Sequence, residues 1–270
     1  MKEAKDVENV LLNECWKLHK ESFKNWLYCR NISDQTKKDY LSSLTKFFAN
    51  HTVSSPKELR SFIIKDKTQR GLRNFFNYFE DEEIENPCGY YLDKWRKHVK
   101  IQRSGVSEVY ITDEEVKEAY ENCPKDIEII FKLLVSSGSR LSHLYQMLQN
   151  FDETNVIIDD KIAHYPTSAF SSSTKKTFQI FFPTHYISEI NSLSYLYKYK
   201  NLTRKLNIGR VNSKAIRKWH LNVMIEEGVP EGVAEFVQGR AATTVGSAHY
   251  LNKVKQAKTE YRKIVERVTL

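Results

Sequence analysis

Apolar residues recur at helical spacing through the first hundred positions. In the segment TKKDYLSSLTKFFAN, one helical stripe consists of Tyr40, Leu44, Phe47 and Phe48. Ser33 or Asp34 precedes this stripe and can cap the helix. Aromatic residues cluster again in TQRGLRNFFNYFED, and a third segment, NPCGYYLDKWRKHVK, follows a breaker pair. The pattern predicts a helical domain over residues 1–100.

The second part of the chain mixes helix and strand patterns. After a polar segment at 101–110, Thr112 and Glu115 form a capping-box pattern that begins a helix. The apolar run IEIIFKLLVSSG predicts a buried helix that ends at Gly138. By contrast, TNVIIDDKIAHYPT and KKTFQIFFP have the pattern of short strands around turns. These segments predict a small antiparallel sheet beside a buried helix.

Beyond Pro183 the pattern is helical, apart from loops near 207–212 and 228–231. The predicted fold class is therefore mainly α with a small antiparallel β-sheet. A helical domain, a linker and a mixed α+β domain are predicted at 1–100, 101–110 and 111–270.

The charge balance favours a polyanionic partner. The chain has 42 Lys and Arg against 34 Asp and Glu, a formal net charge of +8 and a pI near 9.1. Nucleic acid fits this balance better than a membrane surface does. Several basic residues fall in the first domain, where a solvated helix face is the alternative interpretation. The candidate DNA-binding residues are Arg70, Arg73, Lys94, Arg96, Lys97, Lys100 and Arg103.

Composition and spacing exclude several classes of protein. With 40% hydrophobic residues the chain can form real cores, so it is not a disordered chain. Its four cysteines are isolated in sequence, which favours reduced thiols in the cytoplasm and no zinc knuckle. The N-terminal segment lacks the apolar region of a signal peptide, and no run approaches the roughly 18 apolar residues of a membrane span. No set of His, Asp and Glu has metal-ligand spacing.

Four cations interrupt segments that otherwise look apolar. Arg140 stands between two apolar helical patterns, and Lys214 and Arg217 lie three apart in the first turns of a predicted helix. Cations near a helix N-terminus interact unfavourably with the helix dipole. An anion bound at the same place would make the local electrostatic interaction favourable. Arg240 follows a short apolar stripe, and Tyr250 lies ten residues further on. Each residue alone has an ordinary interpretation, as an ion pair, a surface cation or a core tyrosine, so only the order and spacing discriminate.

This ordered set resembles the catalytic domain of tyrosine recombinases, the phage-integrase type of site-specific recombinase. The family has an arginine after a small-Gly step, then a His- or Lys-x-x-Arg motif, then a His, Trp or Arg after a Gly, and then the nucleophilic tyrosine. The matching residues are Arg140 after SSGS, Lys214 and Arg217 in KAIR, Arg240 after Gly239, and Tyr250 in SAHYL. The resemblance covers 110–250 by motif. Over the first hundred residues it is architectural, and it implies a helical core-binding domain.

The family also has a lysine on a β-hairpin, and STKKTFQIFFP offers two. Measured back from the proline that closes the strand, Lys175 matches best and Lys176 is the reserve. Three positions depart from the common pattern. His143 replaces the acidic residue three after the first arginine, while Lys214 and Arg240 stand where histidine, or histidine or tryptophan, is common. The last two choices resemble the integrases of archaeal viruses and plasmids.

The resemblance implies an integrase that cleaves and rejoins DNA through a 3′-phosphotyrosyl intermediate, with no metal, cofactor or ATP. Tyr250 would be the nucleophile, and Lys175 the general acid for the leaving 5′ oxygen. The three arginines, with Lys214 as a further donor, would stabilise charge on the non-bridging oxygens. A type IB topoisomerase-like DNA-relaxing enzyme and a non-catalytic DNA-binding relic of the family are the alternatives.

The resemblance also implies partners. These are double-stranded DNA attachment sites and further copies of the chain, in a tetramer on synapsed DNA, with no membrane. The protein would act in the cytoplasm of a prokaryotic host, associated with the nucleoid. The tail LNKVKQAKTEYRKIVERVTL is a predicted helix with an apolar stripe. That stripe could pack on its own domain or on a neighbouring copy, and the sequence leaves both open.

Overall fold

The structure is a computed structural model that describes residues 11–62, 64–84, 87–99, 101, 110–167, 178–240 and 250–270, with side chains omitted for 250–252. The chain divides into two compact units, Met1–Val106 and Ser107–Leu270. Each unit has its own hydrophobic core. The assignment of DNA binding to the first unit and catalysis to the second stays a prediction.

The first unit is helical in the residues that the structure describes. Its elements are α1 (Leu12–Cys29), α2 (Asp34–Asn50), α3 (Asp66–Asp81) and α4 (Leu92–His98), with 3-10 turns at Pro56–Arg60 and Pro87–Gly89. Ser33 caps α2, because its hydroxyl accepts the backbone N–H of Thr36. The core is aromatic, with the ring of Phe75 at 5.4 Å from that of Trp16 and 5.2 Å from that of Phe23. Edge-to-face contacts of this kind stabilise a core beyond the area that they bury.

Cys15 on α1 and Cys88 in the turn Pro87–Gly89 form a disulfide. The prediction of four reduced cysteines is therefore wrong for this pair, whereas Cys29 and Cys123 are free thiols. The two bonded cysteines are 73 positions apart in sequence. Spacing of that length does not reveal which cysteines meet, because the packing of α1 against the turn decides it.

The second unit combines helices with a small sheet. Its elements in the described residues are α5 (Asp113–Glu121), α6 (Glu128–Ser137), α7 (Leu141–Gln149), β1 (Ile157–Asp159), β2 (Ile162–Pro166), β3 (Gln179–Pro183), α8 (Tyr186–Asn191), α9 (Tyr199–Lys205), α10 (Ser213–Glu226), α11 (Glu231–Val237) and α12 (Tyr250–Ile264), with 3-10 turns at Lys125–Ile127 and Glu153–Asn155. The predicted fold class, mainly α with a small antiparallel sheet, is confirmed. Across the described part of the chain, no helix combines the length and the apolar character needed to span a membrane.

Local sequence signals set several helix boundaries in this unit. Thr112 caps α5 and Glu115 completes the capping box, as predicted. Gly138 ends α6 in the left-handed conformation, with φ +56°, which favours glycine because a Cβ is disfavoured there. The Asn212 side chain caps α10 by accepting the backbone N–H groups of Lys214 and Ala215. Capping therefore fixes where α6 ends and where α5 and α10 begin.

One stretch of the predicted helical region is not helical. Residues 193–198 have no regular secondary structure, so the helical prediction is wrong there. The Tyr197 hydroxyl in this stretch donates a hydrogen bond to the Asp126 carboxylate. Lys205 on α9 pairs with the same carboxylate at 2.9 Å. Tertiary contacts, which the local pattern does not encode, hold this segment in a non-helical conformation.

The sheet has the strand order β1-β2-β3 and is antiparallel throughout. His164 of β2 pairs with Ile157 of β1 and with Phe181 of β3. Helices α8 and α10 pack against α6, as does β3. Helix α6 buries Ile130, Phe131 and Leu134 in the core of this unit, while Glu128 and Lys132 form an ion pair on its less buried side. Its C-terminal end carries Gly138 towards the candidate site.

Helix α12 and the residues that follow it pack on their own unit. Ala257, Tyr261 and Ile264 are fully buried. The Tyr261 hydroxyl donates to the carbonyl oxygen of Ser136 on α6 at 3.0 Å, and the backbone N–H of Leu270 donates to the Tyr186 hydroxyl at 3.2 Å. Of the two placements that the sequence leaves open, the structure has the tail docked within its own chain.

Candidate active site

Three element ends converge in the second unit and carry the candidate cations. Arg140 is the N-cap residue of α7, two positions after the turn at Gly138. Arg217 lies in the second turn of α10. Arg240 follows Gly239, which has φ +67° just after the end of α11. The structure therefore brings together the three arginines that the sequence singles out.

Arg140 is held by a backbone carbonyl. Its Nη1 donates to the carbonyl oxygen of Gly239 at 2.6 Å. Burial lowers the pKa of its guanidinium, and the nearby charge of Arg240 lowers that pKa further. The imidazole of His143, which stands where the family has a carboxylate, is buried one turn into α7. In this chain Arg140 is therefore held by an uncharged carbonyl group, that of Gly239 after α11, and not by a carboxylate.

Arg217 is held in the same way, by two carbonyls. Its Nη1 donates to the carbonyl oxygen of Gly138 at 3.1 Å and to that of Gln238 at 2.7 Å. Its Nη2 is buried and has no hydrogen-bond partner among the described residues. Burial, together with the charges of Arg140 and Arg240, lowers the pKa of Arg217 to about 9. The guanidinium is therefore still protonated at neutral pH, but its charged form is less stable in this site than in water.

The other two cations lie closer to solvent. Arg240 is about one-third exposed and has the carboxylate of Glu235 at 3.6 Å from its Nη1. Lys214 is exposed in the first turn of α10. Within the described residues Lys214 forms no ion pair, and neither do Arg140 and Arg217. The site thus gathers positive charge with a single carboxylate partner in the described part of the chain.

The remaining predicted catalytic residues are not described in atomic detail. Lys175 and Lys176 lie in 168–177, outside the described residues. Tyr250 is the first residue of α12, and its side chain is also outside the description. Tyr261 is the next tyrosine on the same helix, but it is fully buried, and burial raises its pKa well above the ordinary value. A buried phenol bonded to a carbonyl is a poor nucleophile, so Tyr250 is the better candidate on α12.

The candidate DNA-binding residues of the first unit fall into three groups. Arg70 pairs with Asp66 at 2.8 Å, and Arg96 donates from Nη1 to Glu80 at 2.9 Å. Such carboxylates neutralise much of the positive charge. Of the candidates that the structure describes, Arg73, Lys94 and Lys97 are exposed and form no ion pair with another described residue. Lys100 and Arg103 lie outside the described residues.

Two polar residues at the site were missed in the sequence. His220 and Gln238 are fully buried, and Gln238 contacts both His220 and Arg217. Only their positions in the sequence could have indicated these two residues. His220 is three residues after Arg217 on α10, and Gln238 directly precedes the glycine before Arg240. A histidine and a glutamine on apolar helix faces are otherwise typical core residues with satisfied hydrogen bonds.

The geometry suits an anion with tetrahedral oxygens. Guanidinium N–H groups bind phosphate oxygens in pairs and keep their charge at neutral pH. Arg140 and Arg217 each use one Nη for carbonyls, which fix the side chain but leave its charge without a counter-ion. No group of three or more His, Cys, Asp or Glu that could hold a metal ion is found in the part of the chain that the structure describes.

Comparisons with known proteins give the family of the chain and a solved structure of similar fold. The sequence model of the family described as archaeal phage integrase matches residues 108–267. No curated protein sequence matches the chain. Among solved structures, the chain is similar to a crystal structure of a lambda integrase tetramer bound to a Holliday junction. The identity is 15%, the TM-score is 0.51, and the match covers 89% of this chain and 77% of that chain. At this identity the likeness concerns the fold.

Proposed function

Because the chain belongs to the archaeal phage integrase family of tyrosine recombinases, we propose that it is a DNA integrase that cleaves and rejoins strands through a 3′-phosphotyrosyl intermediate. One observation carries the proposal. Arg140 and Arg217 are held side by side by carbonyl oxygens of Gly138, Gln238 and Gly239, with no carboxylate on either arginine in the described residues. Two like charges held in this way are best explained by an anionic substrate group that lies between them.

The proposed chemistry is a transesterification. The Tyr250 oxygen, ionised as the phenolate, attacks the scissile phosphorus, a phosphotyrosine forms on the 3′ side, and the bond to the 5′ oxygen breaks. Charge grows on the two non-bridging oxygens as this happens. Arg140, Arg217 and Arg240 stabilise it, and donors of this kind contribute about 3–4 kcal/mol each where water is excluded. Lys214 supplies a further N–H from the first turn of α10.

The leaving 5′ oxygen needs a proton, and we assign that step to Lys175 on the strength of the sequence motif. General acids typically accelerate such steps by about 10²–10⁴-fold. A DNA substrate with sulfur at the bridging 5′ position has a leaving group that needs no proton. Lys175→Ala should therefore be slow on normal DNA and largely restored on the 5′-thio substrate. If the 5′-thio substrate restored Lys176→Ala and not Lys175→Ala, the general acid would be Lys176.

The substrate is proposed to be a pair of double-stranded DNA attachment sites, bound by a tetramer of the chain. The net charge of +8 supports a DNA partner. In the first unit we place the DNA contact on the exposed cations Arg73, Lys94 and Lys97, since Arg70 and Arg96 are engaged by carboxylates. The expected location is the cytoplasm of a prokaryotic host, on its DNA.

The deciding experiment looks for a covalent protein–DNA adduct on a suicide substrate, whose short downstream strand diffuses away after cleavage. The wild-type chain should form the adduct with EDTA present, and Tyr250→Phe should form none while keeping its DNA affinity. Tyr261→Phe is the matched control, because it removes a phenol oxygen from the same helix, and it should still form the adduct. Loss of the adduct only in Tyr261→Phe would reject Tyr250 as nucleophile. Relaxation of any supercoiled DNA without a specific site would favour a topoisomerase, and specific binding without an adduct would favour a non-catalytic relic.

A further inference from the structure

We infer that His220 and Gln238 are positioning residues that clamp α11 to α10 and thereby set the guanidinium of Arg217. The inference deepens the proposed function and rests on it, since it takes Arg217 as a phosphate-binding residue. Neither residue has a position in the recombinase motif that the sequence resembles. Both are fully buried beside Arg217 and Arg240, so they act through those residues and not on the substrate directly.

The contact between Arg217 and Gln238 is reciprocal. The Arg217 side chain donates from Nη1 to the Gln238 carbonyl oxygen at 2.7 Å. The Gln238 side chain donates from Nε2 to the Arg217 carbonyl oxygen, also at 2.7 Å. Each residue thus binds the backbone of the other, and a rotation of α11 against α10 would stretch both bonds. A single bond would fix a distance, whereas this pair also fixes an orientation.

His220 holds the Gln238 amide in the required orientation. Its Nδ1 lies 3.2 Å from the Gln238 Nε2, and its Nε2 lies 2.9 Å from the carbonyl oxygen of Ser136. A carbonyl only accepts, so the proton belongs on Nε2 of His220 and Nδ1 is left as an acceptor. The Gln238 Nε2 therefore faces two acceptors, the Arg217 carbonyl and the His220 ring. A flipped amide would place Oε1 against both, so the network permits one orientation.

The network of His220 and Gln238, here called the clamp, affects the position of all three arginines. Gln238 and Gly239 are consecutive, and their carbonyl oxygens hold Arg217 and Arg140 respectively. Arg240 is the next residue along the chain. At the other end of the network Ser136 accepts the His220 N–H, and Gly138, two residues later, accepts a second bond from Arg217. Fixing α11 against α6 and α10 therefore fixes where three guanidiniums sit.

The first test compares two substitutions of His220 in the full chain. In His220→Asn the amide oxygen takes the place of Nδ1 and can still accept the Gln238 N–H. In His220→Gln the amide nitrogen takes the place of Nε2 and keeps the bond to Ser136 instead. Both variants lose the imidazole, and Asn is the smaller replacement, so a loss of packing alone would not make His220→Gln the slower of the two.

We expect single-turnover cleavage of the suicide substrate, at saturating DNA, to be about 100-fold slower in His220→Gln, as for a misplacement of about 1 Å at a reacting site. His220→Asn should retain most of the wild-type rate. Equal slowing of the two variants would overturn the inference.

The second test is a double-mutant cycle with Arg217. Gln238→Met removes the amide at similar volume and should also slow cleavage about 100-fold. In an Arg217→Lys background the same change should add little, because both substitutions act on one guanidinium. If the two effects multiply, Gln238 acts independently of Arg217, and the positioning role is rejected.

The clamp can also be measured without DNA cleavage, which separates its failure from that of the proposed function. If the wild-type chain forms no adduct, the proposed function fails, and two readouts still decide the clamp. By ¹⁵N NMR, His220 should carry its proton on Nε2, with an Nδ1 shift that changes in Gln238→Met. Inorganic phosphate should bind the wild-type chain more tightly than Gln238→Met. A proton on Nδ1, or equal phosphate affinity in both proteins, would overturn the inference.

Discussion

Arg96 in the first unit and Arg217 in the second are both partly buried, yet they are held by opposite chemistry. Both terminal nitrogens of Arg96 donate to the carboxylate of Glu80, and the hydrogen bond to Glu80 raises its pKa above the ordinary value. Arg217 is bound by carbonyl oxygens, and burial together with two neighbouring arginines lowers its pKa to about 9. The shift in pKa thus has opposite signs in the two units.

The difference shows that the partner of a buried arginine decides whether its charge is neutralised within the fold or stays available to an anionic ligand. A carboxylate fixes an arginine and neutralises it, so nothing remains for a ligand to bind. A carbonyl fixes an arginine with a dipole and leaves the full charge in place. The second arrangement destabilises the free protein and is relieved when an anion binds, which is why groups with perturbed pKa values mark functional sites.

The largest effect is expected when Arg217 and Arg96 are each replaced by alanine. Arg217→Ala should slow single-turnover cleavage by about 10²–10³-fold, because it removes one oxyanion donor. Arg96→Ala should change that rate by only a few fold and should lower the free energy of unfolding of the first unit. The measurement is adduct formation at saturating DNA, with unfolding followed in urea. Equal loss of cleavage in the two variants would remove the distinction between them.

A second prediction concerns acid stability and the buried His220. Burial lowers the pKa of His220 to about 4, and the charge of Arg217 contributes. Between this value and the ordinary 6.5 the unfolded chain binds the proton and the folded chain does not, so stability rises with pH across that window and is lost as pH falls. The difference corresponds to about 3 kcal/mol.

The check is urea unfolding of the second unit at several pH values from 6.5 down to 4. The slope should be smaller in His220→Asn than in the wild-type chain. His19 of the first unit is only partly buried, with burial lowering its pKa and Glu82 raising it. His19→Asn should therefore leave the slope of the second unit unchanged. A wild-type slope that survives in His220→Asn would place the titrating group elsewhere.

Gly138→Ala tests how closely the site is packed. A Cβ at Gly138 would lie 2.4 Å from Nδ1 of His220 and 2.8 Å from Nε2 of Gln238. Gly209 is the matched control, because it has nearly the same φ, +57° against +56°, and a Cβ there would meet nothing within 4 Å. Both alanines cost about 1–2 kcal/mol for the left-handed conformation, and overpacking adds about 1–3 kcal/mol at Gly138 alone. Equal Tm values for the two variants would show that His220 and Gln238 can move away from a Cβ at position 138 without loss of stability.

The smallest effect is expected at two lysines of the first unit. Lys97→Ala removes an exposed cation, and Lys67→Ala removes one that pairs with Asp39 at 2.5 Å. If Lys97 contacts a phosphate, its loss should reduce the slope of log affinity against log salt by about 0.9 for duplex DNA. Lys67→Ala should leave that slope unchanged. The measurement is a fluorescence-anisotropy titration at several salt concentrations, and identical slopes would take Lys97 out of the DNA surface.

Much of the fold follows from the local sequence. The capping box of Thr112 and Glu115, the stop at Gly138 and the aromatic stripe of α2 all act within a few residues, so their signals are legible along the chain. Local signals failed where distant partners decided the outcome. Residues 193–198 are not helical, and Tyr197 in that stretch binds Asp126, while Cys15 is bonded to Cys88 across 73 positions.

The amino-acid sequence alone was enough to single out Arg140, Arg217 and Arg240, because their order and spacing resemble a family motif, and the fold brings the three together. The groups that hold these arginines became visible only in the folded chain. The carbonyls of Gly138, Gln238 and Gly239 belong to the backbone, and every residue type has one, so no residue pattern announces them. The roles of His220 and Gln238 depend on which helix ends meet, and that geometry exists only once α6, α10 and α11 have packed.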